Sequence, residues 1–212
     1  MKPSIEIAKS LLGKGRYQET IDTCNQLLAI DSESIDALKL ITKSFFATKQ
    51  IEDARLYLNK ALKIKPDDHE IIKDLGKLYQ ILGDINTAKS YYKKAISINN
   101  SYAPALTNLG SIEFNTGNKE EALSLLLKAT ESDPKLTPAW SNLANGYLKL
   151  GKIKEAEAAY RKAIELDPNQ FNSYLNLGAV LQELGNLKEA ELSTLKAIEI
   201  NPNIVEAHYN IG

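Results

Sequence analysis

The sequence predicts an all-α array of paired helices, and three observations carry that reading. Ala54, Ala88, Ala122, Ala156 and Ala190 recur every 34 residues without a gap. A second small-residue column, Ala61, Ala95, Ala129, Ala163 and Ala197, keeps the same interval. Gly83, Gly117, Gly151 and Gly185, with Gly15 in phase two periods earlier, mark one fixed place in the period, and Pro66, Pro134, Pro168 and Pro202 mark another. Each unit therefore reads as two short helices, with a glycine turn between them and a proline turn after them.

The period divides the chain into units 1–34, 35–68, 69–102, 103–136, 137–170 and 171–204, with 205–212 opening a seventh. The first has Thr20, Leu27 and Ser32 where later units have alanine, alanine and proline, so its packing is expected to be looser or cap-like. The second carries Lys49 at the turn-glycine position and the third Asn100 at the proline position, departures that other turn chemistry absorbs. Asp67 and Asp68 precede the third unit, and Glu120 and Glu121 open the second helix of the fourth, where carboxylates complement a helix N-terminus. The fifth is the most regular. After the sixth, IVEAHYNIG repeats the opening of another unit and stops inside its first helix. Arrays of this kind end in a polar capping helix, so the chain is expected to be a fragment and to self-associate through this uncapped end.

The packing logic is visible in the columns. Ile7, Ile41, Leu75, Leu109, Leu143, Leu177 and Ile211 are in phase, and mostly small residues follow them: Ala8, Thr42, Gly76, Gly110, Ala144, Gly178 and Gly212. Small residues there let paired helices approach closely, while Trp140, Tyr147 and Tyr160 fill the space between. Tyr79, Tyr92, Trp140, Tyr147 and Tyr160 all sit at framework spacing and read as core, not as an aromatic cage. Cys24 shares the column of Tyr92 and Tyr160 and reads as a small core residue, and His208 shares that of Trp140.

Segment 137–170, TPAWSNLANGYLKLGKIKEAEAAYRKAIELDPNQ, resembles the tetratricopeptide-repeat (TPR) consensus almost residue for residue, through Trp140, Leu143, Ala144, Tyr147, Ala156, Tyr160, Ala163 and Pro168. The resemblance implies a right-handed superhelical solenoid of antiparallel helix pairs. The first helix of each of its six full repeats would line a concave groove.

Composition excludes other classes. The 212 residues are 43% hydrophobic and 25% charged, as in ordinary globular chains. No apolar run approaches the ~20 residues of a spanning helix, and the N-terminus lacks a signal-peptide core, so no membrane partner is expected and the expected location is cytoplasmic. One cysteine and two distant histidines, His69 and His208, offer no zinc cluster, so no metal is expected. No nucleophile–base pair or GxGxxG-type phosphate loop is present, so neither a cofactor nor catalysis is expected. A net charge of −1, with basic residues interleaved among acids, argues against nucleic acid. Charge does differ along the chain: residues 35–102 hold twelve Lys/Arg against eight Asp/Glu, and residues 103–204 ten against thirteen.

Two sets of first-helix positions lie outside the framework. Asn108, Asn142, Asn176 and Asn210 recur at 34 and would form a ladder in the groove, where amides suit the backbone of an extended peptide. In the first three units Glu6, Leu40 and Asp74 hold that column. These later units resemble the TPR superhelix of O-linked N-acetylglucosamine transferase, whose groove carries the same ladder. Lys39 with Lys43, and Lys73 with Lys77, are four apart and repeat at 34, with Lys9 in the column of Lys43 and Lys77. They would form a basic patch suited to acidic side chains or a terminal carboxylate. Lys73, Lys77 and Asn108 match three positions of the carboxylate clamp in chaperone-binding TPR domains, but Pro138 and Asn142 stand where its remaining cations would be. The expected function is a scaffold binding a protein or an acidic peptide in the groove. The alternative is the substrate-recruiting region of a larger glycosyl- or sulfotransferase.

Overall fold

The computed structural model describes residues 2–202, and among them every regular element is an α-helix. In order these are α1 (Ile5–Gly13), α2 (Tyr17–Ile30), α3 (Ile35–Ala47), α4 (Ile51–Ile64), α5 (His69–Ile81), α6 (Ile85–Ile98), α7 (Ala103–Asn115), α8 (Lys119–Ser132), α9 (Thr137–Lys149), α10 (Ile153–Leu166), α11 (Phe171–Glu183) and α12 (Leu187–Ile200). Each odd-numbered helix packs against the even-numbered helix that follows it. The fold is an all-α helical repeat solenoid, with one helix pair for each of the six 34-residue units. Its helices group into two compact units, Met1–Asn100 and Ser101–Gly212. Residues 203–212, which hold Asn210, His208 and the opening of the seventh unit, lie outside the described residues.

Local chemistry sets the helix ends. Ser4 caps α1 by accepting from the Ile7 N–H at 3.3 Å, and Asp84 caps α6 by accepting from the Thr87 N–H at 3.0 Å. Asp68 caps α5 by accepting from the N–H groups of Glu70 and Ile71 at 2.9 and 3.2 Å. The carboxylates before and at the start of helices thus have a capping or dipole role. Within each pair the helices are joined by a left-handed residue. Gly15, Gly83, Gly117, Gly151 and Gly185 have φ between 70 and 94°, and Lys49 takes the same place at φ 60°. The residue after it donates back to the carbonyl five residues earlier, as in Gln50 N–H to Phe45 O (2.9 Å) and Lys152 N–H to Tyr147 O (2.9 Å). That bond and the positive φ together form a Schellman closure.

The core follows the large–small complement expected from the columns. Cys24, Leu58, Tyr92, Leu126, Tyr160 and Thr194 share one position of the second helices, and all are buried. Opposite them on the first helices lie the small residues. A Cβ on Gly76 would stand 2.7 Å from the Tyr92 ring, and one on Gly110 would stand 2.8 Å from Leu126 Cγ. The alanine columns are fully enclosed at Ala54, Ala88, Ala122 and Ala156. Tyr92 and Tyr160 are core residues. Trp140 and Tyr147 are half-buried against the same clusters, and the Trp140 indole N–H donates to Pro134 O at 2.9 Å. The first pair is the slightest, since α1 has nine residues against thirteen in the other first helices and encloses only Ala8.

Candidate peptide-binding faces

In unit Met1–Asn100 the expected basic patch is largely compensated by its own carboxylates. The Lys39 ammonium on α3 donates to Asp68 Oδ2 at 2.7 Å and to Glu70 Oε2 at 2.8 Å, both at the N-terminus of α5. Burial disfavours the charge on Lys39, but the bonds to Asp68 and Glu70 outweigh it and hold its pKa above the ordinary lysine value. Burial likewise works against the Asp68 carboxylate, yet the Lys39 ammonium and the capped N–H groups of Ile71 and Glu70 pull its pKa below the usual range. Lys39 lowers that of Glu70 in the same way. Lys73 pairs with the buried Asp74 beside it, and Lys9 with Glu6 at 3.0 Å. Among the described residues Lys43 and Lys77 make no direct ion pair. Lys77 lies over the Phe46 ring, 4.8 Å from its centroid, and burial, aided by neighbouring Lys73, lowers its pKa. The free cationic character of this face therefore rests on Lys43 and Lys77. Leu40, in the asparagine column, is buried.

In unit Ser101–Gly212 the first helices bring neutral amides together. Asn108 on α7, Asn142 on α9 and Asn176 on α11 are half-buried, and Asn142 and Asn176 sit in the walls of concavities between first helices. A concavity of about 300 Å³ between α7 and α9 is lined by Phe114, Asn115, Asn142, Asn145, Gly146 and Lys149, among others. One of about 250 Å³ between α9 and α11 includes Ser141, Asn142, Asn145, Tyr160, Gln170 and Asn176. Both volumes lie at or just below the lower end of the small-molecule range.

Two residues absent from the sequence expectations organise the second concavity. Asn145 Oδ1 accepts from the Tyr160 hydroxyl and, at 3.2 Å, from Asn176 Nδ2. Gln170 Oε1 accepts from the hydroxyls of Ser141 and Ser173, each at 2.6 Å. Burial pushes the Tyr160 phenol up to about 12, so it remains a donor. The signal for Asn145 was present in the sequence: extending the Lys43 and Lys77 column by 34 gives Ser111 and then Asn145. Gln170 gave no comparable signal, because it stands just before α11, where its column reads Ser34, Asp68, Tyr102, Leu136 and Gln170.

Cys24 is fully enclosed, and burial raises its thiol to about 11, which removes it as a nucleophile at neutral pH. Among the described residues no group of three or more His, Cys, Asp or Glu side chains is placed to hold a metal ion, and no helix is long and apolar enough to cross a membrane.

No curated protein matches the chain. Among solved structures it superposes on a chain of the Cut9–Hcn1 hetero-tetramer of APC/C with a TM-score of 0.90 at 19% identity, covering 98% of this chain but 41% of that one. PilW, a type IV pilus biogenesis factor, matches at a TM-score of 0.78 and 21% identity over 98% of this chain and 96% of its own. YrrB matches at 0.60 and 20% over 88% and 96%. At such identities these likenesses speak for the fold alone. Tetratricopeptide-repeat models match residues 11–77 and 81–145, 137–170, and 159–191. One of those models alone spans more than half of the sequence, and the chain belongs to the tetratricopeptide-repeat family.

Proposed function

We propose that the chain is a protein-interaction scaffold that holds an extended segment of a partner against its first helices. The observation that carries this reading is the repeated placement of half-exposed Asn108, Asn142 and Asn176 on α7, α9 and α11, at positions the core does not use. An amide offers two donors and an acceptor to a peptide backbone, whatever its side chains. In the compact unit Met1–Asn100, called the first unit from here on, Lys43 and Lys77 add attraction for acidic side chains, while Lys39 and Lys73 are paired internally. The likeness to YrrB, a TPR protein with an unusual peptide-binding site, supports a peptide-binding reading in general.

Each asparagine that pairs with backbone should contribute about 1 kcal/mol, so single alanine changes weaken binding several-fold and the Asn108, Asn142 and Asn176 triple change largely abolishes it. Peptide arrays probed with the wild-type chain, the triple variant, and a Lys43→Glu, Lys77→Glu variant at two salt concentrations test this. The triple variant should lose the array signal with its helical content unchanged, and the reversal should shift partner choice most at low salt. A triple variant that binds as wild type would refute the reading.

A further inference from the structure

The two units carry the same side-chain contact in two chemical versions. Lys39 bonds to Asp68, 29 residues on, across the first helices of adjacent helix pairs. Ser141 stands three periods after Lys39 and two after Lys73, in their column, and Gln170 stands three periods after Asp68. Ser141 bonds to Gln170, again 29 residues on, at 2.6 Å. Asn145 occupies the column of Lys43 and Lys77, and Asn172 that of Glu70. Every charge of the first unit's face is thus replaced in the α9–α11 concavity by a neutral hydrogen-bonding group, and none of the residues lining that concavity is charged.

The internal bonds also fix the polarity left for a ligand. The oxygens of Asn145 and Gln170 each accept two hydrogen bonds from neighbours, which fills an amide oxygen's capacity. Their NH2 groups, on the opposite corners of the amides, are engaged by no described residue. The concavity therefore presents donors without a cation. A backbone or side-chain carbonyl satisfies such donors, whereas a carboxylate would be desolvated there without a counter-charge. We infer that the α9–α11 concavity selects an uncharged, carbonyl-presenting stretch of peptide, and that any preference for acid resides in the first unit alone. This rests on the peptide-binding reading above and adds a ligand class to one of its sites.

The full-length chain carrying Lys43→Gln and Lys77→Gln is probed on an array of short synthetic peptides and their analogues with Asp and Glu exchanged for Asn and Gln. In that background the uncharged analogues should bind at least as well as the acidic ones, with little salt dependence. Adding Asn145→Lys, which restores the first unit's residue at that column, should raise affinity for acidic peptides by about fivefold and make it salt-sensitive. Asn145→Asp keeps both acceptor bonds but replaces the outward NH2 with an anionic oxygen, and should weaken uncharged peptides by roughly tenfold. Continued preference for acidic peptides in the glutamine background would overturn the inference while leaving the peptide-binding reading intact, as would an Asn145→Lys variant with unchanged preference. Absence of any peptide binding by the wild-type chain would overturn both.

Discussion

Lys49 holds a left-handed backbone conformation that its four counterparts downstream give to glycine. For a residue with a Cβ this conformation costs about 1–2 kcal/mol, and glycine would return about 0.4–1 kcal/mol of that through the greater entropy of the unfolded chain. Lys49 is exposed, so its replacement loses no packing. Lys49→Gly should therefore raise stability by roughly 0.5–1 kcal/mol, read as a higher urea midpoint. Cys24 illustrates the opposite situation, in which an ionisable group is hidden. Its thiol rises from 9.0 to about 11 on folding. Raising the pH through that window ionises the unfolded chain first, so stability contributed by the buried thiol is complete below pH 9 and declines toward pH 11. Denaturation followed across this range should show a shallower decline for Cys24→Ala than for wild type, and the native thiol should resist alkylation at neutral pH.

At the scale of the helix, period and packing were legible together. The 34-residue columns placed both helices of every described unit and the turn between them, because each column is a steric requirement repeated at each interface. Two substitutions probe that requirement. Gly110→Ala gains about 1 kcal/mol of helix propensity, but its methyl group would lie 2.8 Å from Leu126 Cγ and 3.2 Å from the Ala122 carbonyl oxygen. Leu126 can rotate, but the backbone of α8 cannot, and overpacking of this kind costs about 1–3 kcal/mol. The net effect should be a loss, measured in thermal melts. Ala156→Leu places three more carbons in a fully enclosed site and should unfold its helix pair outright. Charge pairing was not legible in the same way. The Lys39 to Lys43 spacing is visible along α3, yet the carboxylates that neutralise Lys39 are 29 and 31 residues away, at the start of α5. Nothing in a lysine column says whether the next unit's capping acid will reach it.

Over the whole molecule, the asparagine column repeats along the first helices and is legible in the sequence, whereas the hydrogen bonds that orient its members join different columns and are not. Asn176 is tied to Asn145, Asn145 to Tyr160, and Gln170 to two serines. A preorganised face of this kind lowers the entropy lost when a peptide binds. In the proposed reading a ligand meets the first helices of the pairs, not the second. Side-chain NH2 resonances of Asn108, Asn142, Asn145 and Asn176, followed by proton–nitrogen NMR while an array-selected peptide is titrated in, test it most directly. Saturable shifts are expected at these four amides and along α7, α9 and α11. Shifts confined to α8, α10 and α12, with the four amides unmoved, would contradict it.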